Sequence, residues 1–249
     1  LMRILLTGTR GYRPGFIGNN FLRMYKDKYE IIEWEGNIAD FRHYDASYFK
    51  NFDMVVHLAA MAGVRRSHQE PQLYWDTNVN ASKHIFRITQ ANVPVLYASS
   101  SSIYEWWLSP YATTKYAMEC IAPKNTLGLR FHTVYGPNSR SDMLYDMLLN
   151  KDVEYLTNHT RDWTHVDDVC RAIEVCIENW ESIKWNMAID VGNGAPVSVK
   201  DLAEHLWPNN NLYIKEVTGE REHTLADPTV LKRFGWEPQH HVLDPINHE

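Results

Sequence analysis

The chain has 249 residues, is 44% hydrophobic and carries a formal net charge of −6, so it can bury one large core or a major domain with a smaller one beside it. The acidic balance lacks the basic surface that displaces counterions from nucleic acid, and no apolar run approaches the roughly 20 residues that span a bilayer. There is no signal-peptide pattern, and the three cysteines, Cys120, Cys170 and Cys176, lack a CxxC spacing, which excludes a disulfide framework and fits a reducing cytoplasm.

Residues 2–6 form a short apolar run ending in a glycine-rich turn, which reads as a buried first strand. Ile17, Phe21, Leu22 and Tyr25 then recur at helical spacing. Residues 29–34, 54–58 and 95–99 read as further strands, with a helical stretch across 73–91. Residues 111–121 read as helix, 126–131 as strand and 167–178 as helix, and Ser198 with Asp201 resembles a capping box opening a helix through Leu206. Strands alternating with helices predict an α/β fold, a Rossmann-like doubly wound parallel sheet, because parallel neighbours need crossover connections. The expected organisation is a dinucleotide-binding domain over 1–134, with segments of about 160–193 returning to it. Residues 135–249, rich in short elements, then build mainly a smaller substrate-binding subdomain.

Gly8, Gly11, Gly15 and Gly18, with Phe16 and Ile17, lie between the first strand and the first helix. Glycines there let the backbone approach a pyrophosphate, whose charge the helix N-terminus favours. Glu35, just past the second strand, has the spacing at which a carboxylate accepts bonds from the adenosine ribose, which points to NAD over NADP. Glu33 is the alternative partner on the same strand face. Ser100 closes a strand, and Tyr111 and Lys115 share one face of the next helix. In that pattern the lysine charge favours the tyrosinate, so that Tyr111 serves as general base and Ser100 shares the proton. The twelve histidines include no HExxH, no metal site is expected, and His240-His241 reads as a solvated tail.

GFIG at 15–18, HLAA at 57–60, ASSSSIY at 98–104, YATTK at 111–115, LRFHTVYGP at 129–137 and RDWTHVDDV at 161–169 follow one another in a known order. Together they resemble the nucleotide-sugar epimerase/dehydratase branch of the extended short-chain dehydrogenases/reductases. The resemblance implies NAD(H) retained through the cycle, a UDP-sugar or similar substrate and a possible homodimer. It implies that Asp40 and Phe41 contact adenine and that Leu58, Ala59, Ala60, Asn78 and Ser99, with Tyr111 and Lys115, line the cofactor. In the branch's 4,6-dehydratases an Asp-Glu pair follows the catalytic hydroxyl. Here Ser101 and Ser102 stand there, which disfavours dehydration and also weakens decarboxylation.

Ala62 to Ser67, Thr133 to Pro137 followed by Arg140, Asp142 and Met143, and Asn158-His159 before Arg161 are similar to segments of the UDP-glucuronate 4-epimerases. That similarity implies that Ser101, Ser102, Thr133 and Arg140 surround the uronate carboxylate, a task suited to a guanidinium and hydroxyl donors. It implies diphosphate binding by Arg161 and, less directly, Arg221; the alternative for Arg161 is a structural pair with Asp162 or Asp167. The chain departs from the pattern by an insertion at Gly11 to Pro14, by shortened segments at 104–111 and 115–129, and by Glu105 in place of a glycine. The alternatives kept beside a 4-epimerase are a reductase or decarboxylase of nucleotide sugars and a non-catalytic NAD-binding protein.

Overall fold

In the computed structural model, residues 1–10, 15–40, 45–89 and 92–245 are described. The strands along the chain are β1 (Arg3–Thr7), β2 (Glu30–Glu33), β3 (Met54–His57), β4 (Val95–Ser100), β5 (Thr126–Phe131) and β6 (Thr133–Tyr135). They continue as β7 (Tyr155–Leu156), β8 (Thr160–Arg161), β9 (Trp163–His165), β10 (Ala188–Val191), β11 (Val197–Ser198) and β12 (Tyr213–Ile214). The first helices are α1 (Phe16–Tyr25), α2 (Ala46–Phe49), α3 (Val64–Gln69), α4 (Pro71–Tyr74), α5 (Ala81–Thr89) and α6 (Pro110–Ile121). After them come α7 (Leu144–Leu149), α8 (Val166–Glu178), α9 (Trp180–Ile183), α10 (Val199–Leu206) and α11 (Thr229–Arg233).

Six strands form one parallel sheet in the order β10-β5-β4-β3-β1-β2. The chain steps outward from β1 to β2 and then back across β1 to β3, so the order reverses between β1 and β3. In open parallel sheets such a reversal leaves a crevice at the strands' carboxyl ends. The expected strands and the doubly wound topology are present, and β10, for which no strand is read from the sequence, extends the sheet beyond β5.

Alternation along the strands sends Ile4 and Leu6 to one face and Leu5 to the other, all fully buried. On the first face they pack with Phe21 of α1 and with Val169, Ile173 and Ile177 of α8. On the second face Leu5, Val55, Val95 and Tyr97 meet Ile85 and Phe86 of α5 and Met118 of α6. Each such side chain contributes about 1.5–3 kcal/mol on burial. A third core, built on Tyr135, Leu148, Leu156, Trp163, Leu202 and Leu206, gathers the short later elements. The capping expected at Ser198 is formed, its hydroxyl accepting from the Asp201 N–H at 2.9 Å.

Two expectations are corrected. The helix expected over 73–91 is interrupted by a π-helical turn, Trp75–Asn80, between α4 and α5, and its last two residues lie outside the described residues. The wider turn carries Asn78, whose carboxamide accepts from Met61 N–H (2.8 Å) and donates to Met61 O (3.0 Å) and Thr114 Oγ1 (3.0 Å). His240 is not a solvated tail residue. The fully buried Asp168 carboxylate needs donors and takes them from the backbone N–H groups of Gln239 (3.1 Å) and His240 (3.1 Å) and from Arg171, while the His240 ring stacks on His165 at 4.0 Å.

Asp162 does the same for another strip of chain. Its buried carboxylate accepts from the N–H groups of Asn193 (2.7 Å), Gly194 (2.8 Å) and Ala226 (2.9 Å), joining β9 to the segments after β10 and before α11. Asp162→Ala leaves the N–H groups of Asn193, Gly194 and Ala226, of which only the last is buried, without their acceptor and is expected to cost about 2–3 kcal/mol in urea denaturation, with Asp162→Asn costing less. An Ala variant within 1 kcal/mol of the wild type (roughly the worth of one hydrogen bond) would show that the carboxylate holds nothing together.

Candidate active site

The crevice between β1 and β3 is built for close approach. Gly8 follows β1 at φ 90°, and a Cβ there would sit 2.7 Å from the Ala59 nitrogen and 2.7 Å from the Leu58 carbonyl carbon. Gly15 and Gly18 press on the Gly8 carbonyl from α1, where an added Cβ would stand 1.5 Å and 2.5 Å from its oxygen. Only glycine fits at these points, and α1 opens at Gly15 with no side chain capping its first turn. The helix N-terminus and the narrow cradle suit the pyrophosphate of a dinucleotide. Phe16 and Ile17 form the first turn, half-buried; Gly11 and Phe41 lie outside the described residues.

Below the crevice a buried chain of hydrogen bonds fixes the loop after β3. Thr7 Oγ1 bonds His57 Nδ1 at 2.8 Å, His57 Nε2 bonds Ser82 Oγ at 2.9 Å, and the Ala59 N–H donates to Thr7 Oγ1 at 3.1 Å. Burial first, and the Lys115 charge second, push the His57 imidazole down to about 3, so it stays neutral. The loop 58–63 is held from the far side by Asn78 and by Tyr74, whose hydroxyl donates to Ala62 O (2.7 Å) and is 2.9 Å from Gly63 O.

At the end of β2 two carboxylates, Glu33 and Glu35, compete for one cation. Arg10 Nη1 reaches Glu35 at 2.7 Å, while its Nε and Nη2 lie 3.3 Å and 3.2 Å from Glu33. Glu33 ends β2 with its side chain 21% exposed, whereas Glu35 is 74% exposed. Arg10, Glu33 and Glu35 line a cavity of about 630 Å³ with Trp34, Gly36 and Tyr48. Asp40 lies beyond it, its N–H on Asn37 O at 3.0 Å.

The Ser-Tyr-Lys group converges at the end of β4. Ser109 caps α6 by accepting from the Ala112 N–H at 3.1 Å, and Pro110 takes the first helical position, which sets Tyr111 in the first turn. Ser100 Oγ accepts from the Ser102 N–H at 3.2 Å. Lys115 is 2% exposed, donates to Ala98 O at 2.7 Å and lies 6.0 Å from the centre of the Tyr111 ring. Tyr74 meets that ring edge-on at 6.3 Å. Burial pushes the Tyr111 phenol up, opposed by the Ser100 hydroxyl and by the positive charge of Arg140. Ser99 points the other way: its hydroxyl donates to Glu119 at 2.5 Å, and Glu119 also pairs with Arg130 at 2.8 Å.

Among the remaining candidates, Arg140 bears on this group through its charge on Tyr111. Thr133 begins β6, its N–H on Asp162 O at 3.0 Å, and Arg140 holds Asp142 at 2.9 Å. Ser101 is buried, and its carbonyl accepts from Arg221 Nη1 at 2.9 Å; Arg221 also pairs with Glu105 at 2.8 Å. Arg161 is 14% exposed and pairs with neither Asp162 nor Asp167. Its Nη2 bonds His159 Nδ1 at 2.7 Å and its Nη1 bonds Thr160 O and Glu222 O at 3.1 Å and 3.0 Å. Sequence reasoning passed over His57, Ser82 and Tyr74; His57 lies in HLAA, while Tyr74 and Ser82 sit in the following helical stretch with no local signal of a link to it. No group of histidine, cysteine or carboxylate side chains among the described residues fits a metal ion.

With this geometry in view, the family description "NAD dependent epimerase/dehydratase family" matches residues 4–192. The chain belongs to that family. It is 27% identical to Protein CapI of Staphylococcus aureus over 324 aligned positions, covering 99% of this chain and 96% of that protein. It is 31% identical to UDP-glucuronate 4-epimerase 4 of Arabidopsis thaliana over 239 positions, covering 76% of this chain but only 55% of the plant protein. The solved structure of MoeE5 in complex with UDP-glucuronic acid and NAD superposes with a TM-score of 0.80 at 26% identity, covering 97% of this chain and 95% of that one. The family is NAD-dependent, and the glycine cradle at the β1–β3 crevice fits that cofactor. No helix among the described residues is long and apolar enough to cross a membrane.

The burial of Lys115 has a measurable consequence. Its ammonium is pushed down to about 7 from 10.5, so between those pH values the unfolded chain binds a proton that the folded chain does not. The cost of burying the charge is therefore full below pH 7 and fades as pH rises toward 10.5. Lys115→Met in the NAD-free protein is expected to gain on the order of 3 kcal/mol at pH 6 by urea denaturation, with the gain shrinking at pH 8 and gone near pH 10. A gain independent of pH would mean that no buried ammonium is being removed.

Proposed function

We propose that the chain is an NAD-dependent 4-epimerase of a nucleoside-diphosphate sugar, with UDP-glucuronate and UDP-galacturonate as its substrate pair. The observation that carries this reading is the convergence on Tyr111 of Ser100, Lys115 and Arg140 beside the dinucleotide crevice. Bound NAD supplies a hydride acceptor that can later return the hydride. Gly8, Gly15, Phe16, Ile17 and Gly18 hold the pyrophosphate, and Glu33 or Glu35 takes the ribose once Arg10 gives way. Asp40 and the backbone of Leu58, Ala59 and Ala60 border the cofactor, and Asn78 keeps that loop in place.

In the proposed cycle Tyr111 removes the proton of the sugar 4-hydroxyl while Ser100 shares the hydrogen bond to that oxygen. Lys115 contributes through its position beneath the Tyr111 ring. The 4-keto sugar left when C4 gives up its hydride to NAD would turn over, regain that hydride on its other face and recover the proton from Tyr111. For a uronate that ketone is a β-keto acid, which loses carbon dioxide when the breaking bond aligns with the carbonyl. Arg140, with Ser101, Ser102 and Thr133, is assigned to hold the carboxylate away from that alignment, and Arg161 and Arg221 to hold the diphosphate. Support comes from the serines that stand where a dehydrating acid–base pair would be needed, and from relatives named as UDP-glucuronate 4-epimerases. We assign the expected homodimer to the face where Leu73, Trp75, Trp106 and Tyr116 are exposed.

Purified protein incubated with UDP-glucuronate and no added cofactor should yield UDP-galacturonate by NMR. Formation of UDP-xylose with no epimer would replace the assignment with decarboxylation. Tyr111→Phe should lower kcat about 10³-fold while UDP affinity stays within about threefold of the wild type. A Tyr111→Phe protein of near-normal kcat would remove the tyrosine from the chemistry.

A further inference from the structure

Ser100 and Tyr111 stand on different elements, so something must fix the end of β4 against α6. Ser100 Oγ accepts from the Ser102 N–H and so caps the 3₁₀ segment Ser101–Leu108, which makes the placement of that hydroxyl and of the turn one geometry. The first turn ends at Tyr104, because Glu105 leaves the helical range at φ −132° and ψ 56°. Past that kink the segment is tied to α6, where Thr113 Oγ1 donates to the Trp106 carbonyl at 3.0 Å.

Tyr104 is the anchor before the kink. The residue is 41% exposed, so burial of the ring contributes little to holding it. Its hydroxyl instead points inward to two strands: it donates to Asp190 of β10 at 2.6 Å and accepts from Arg130 Nη1 of β5 at 3.0 Å. Burial first, and the bond to Asp190 second, push the phenol up to about 12, so it remains a donor. Burial alone would raise the Asp190 carboxyl, but the His132 ring 3.4 Å away, the Tyr104 hydroxyl and the Asp227 N–H hold it below the ordinary carboxylate range and keep it charged. Arg130 in turn grips Glu119 with Nε at 3.0 Å and Nη2 at 2.8 Å, and Glu119 lies on α6, the helix that carries Tyr111. The Arg221 guanidinium completes the charged surroundings of Tyr104, 5.4 Å from the ring centre. A chain of directional bonds thus runs from the Ser100 turn through Tyr104, Arg130 and Glu119 to the tyrosine's own helix.

We propose that Tyr104 is a positioning residue for the proton-transfer step: its hydroxyl, held by Asp190 and Arg130, registers the turn that carries Ser100 against the helix that carries Tyr111. This rests on the reading of Tyr111 as general base. The groups that face Tyr111 are Ser100 from β4, Tyr74 from α4, Lys115 from its own helix and Arg140 from the loop after β6. Of these, Ser100 is the one whose place Tyr104 controls. Loss of the Tyr104 hydroxyl lets the turn drift, weakens the Ser100 bond to the phenol and leaves Tyr111 harder to ionise.

The test is ultraviolet titration of tyrosinate in the NAD-loaded protein. Subtracting Tyr111→Phe from the wild type isolates Tyr111, and subtracting Tyr104→Phe/Tyr111→Phe from Tyr104→Phe isolates it without the anchoring hydroxyl. Tyr111 should titrate about half to one pH unit higher in the Tyr104→Phe background, the size of one weakened hydrogen bond. Asp190→Asn, which keeps an acceptor but not the charge, should move it the same way by less, and it serves as the second variant where Tyr104→Phe folds poorly. With UDP-glucuronate as substrate, Tyr104→Phe should lower kcat roughly 3–10-fold with KM within about twofold, and the acid limb of kcat/KM should move up in pH with the phenol. Tyr111 titrating at the same or a lower pH in both variants would overturn the proposal and make Tyr104 a structural clasp. An upward shift in a protein that does not turn over UDP-glucuronate would uphold the proposal and remove only the choice of sugar. Near-normal kcat in Tyr111→Phe would overturn the general-base reading and this proposal with it.

Discussion

The contact on which the rest of this molecule depends is the absence of space above Gly8. The β1–α1 turn, the carboxyl end of β3 and the start of α1 meet so closely that three glycines touch backbone atoms where any side chain would collide. That closeness is a consequence of topology, since β1 and β3 are neighbours at the point where the sheet reverses its order. It leaves a helix N-terminus aimed into a slot lined by backbone, the arrangement that receives a pyrophosphate. The Thr7-His57-Ser82 chain beneath the slot serves the same end, because a loop this close to a ligand must be held by hydrogen bonds rather than by bulky packing.

The electrostatics of the site follow from burial. Lys115, His57 and Tyr111 are all removed from water, and burial drives each toward its neutral form. What opposes this at Tyr111 is local: a hydroxyl from the end of β4 and a guanidinium from the loop after β6. Arg140, which we propose for the substrate carboxylate, therefore also bears on the phenol, so the proposed role and the observed one share one charge. The positions of Tyr111 and Ser100 were legible in the sequence because strand end and helix start are local features with local signals. The turning of Lys115 to the Ala98 carbonyl was not, since it depends on β4 and α6 packing together.

The carboxylates of RDWTHVDDV show how a motif can be recognised for one reason and retained for another. Asp162 and Asp168 are buried acceptors that tie distant backbone to the sheet, and through Asp168 the residues around His240 are drawn into the structure. Nothing in the sequence near His240 signals this, because the donor and acceptor are about 70 residues apart and the donors are backbone N–H groups that every residue carries. Arg161 of the same motif is oriented by His159 and by the carbonyls of Thr160 and Glu222, neighbours that the motif does not contain.

The sequence by itself determined the α/β class, the glycine turn, the order of strands β1 to β5 and the candidate serine, tyrosine and lysine, because each is written in residues within a few positions of one another. Hydrophobic period, caps and turn residues act over one element, and they read the same in isolation. Only the tertiary structure decided which charges meet: Arg10 between Glu33 and Glu35, Glu220 between Arg65 and Arg161, Glu119 with Ser99 and Arg130. Such pairings join segments that lie far apart along the chain, and a charge at a given position has no preferred partner until the sheet has brought one within reach.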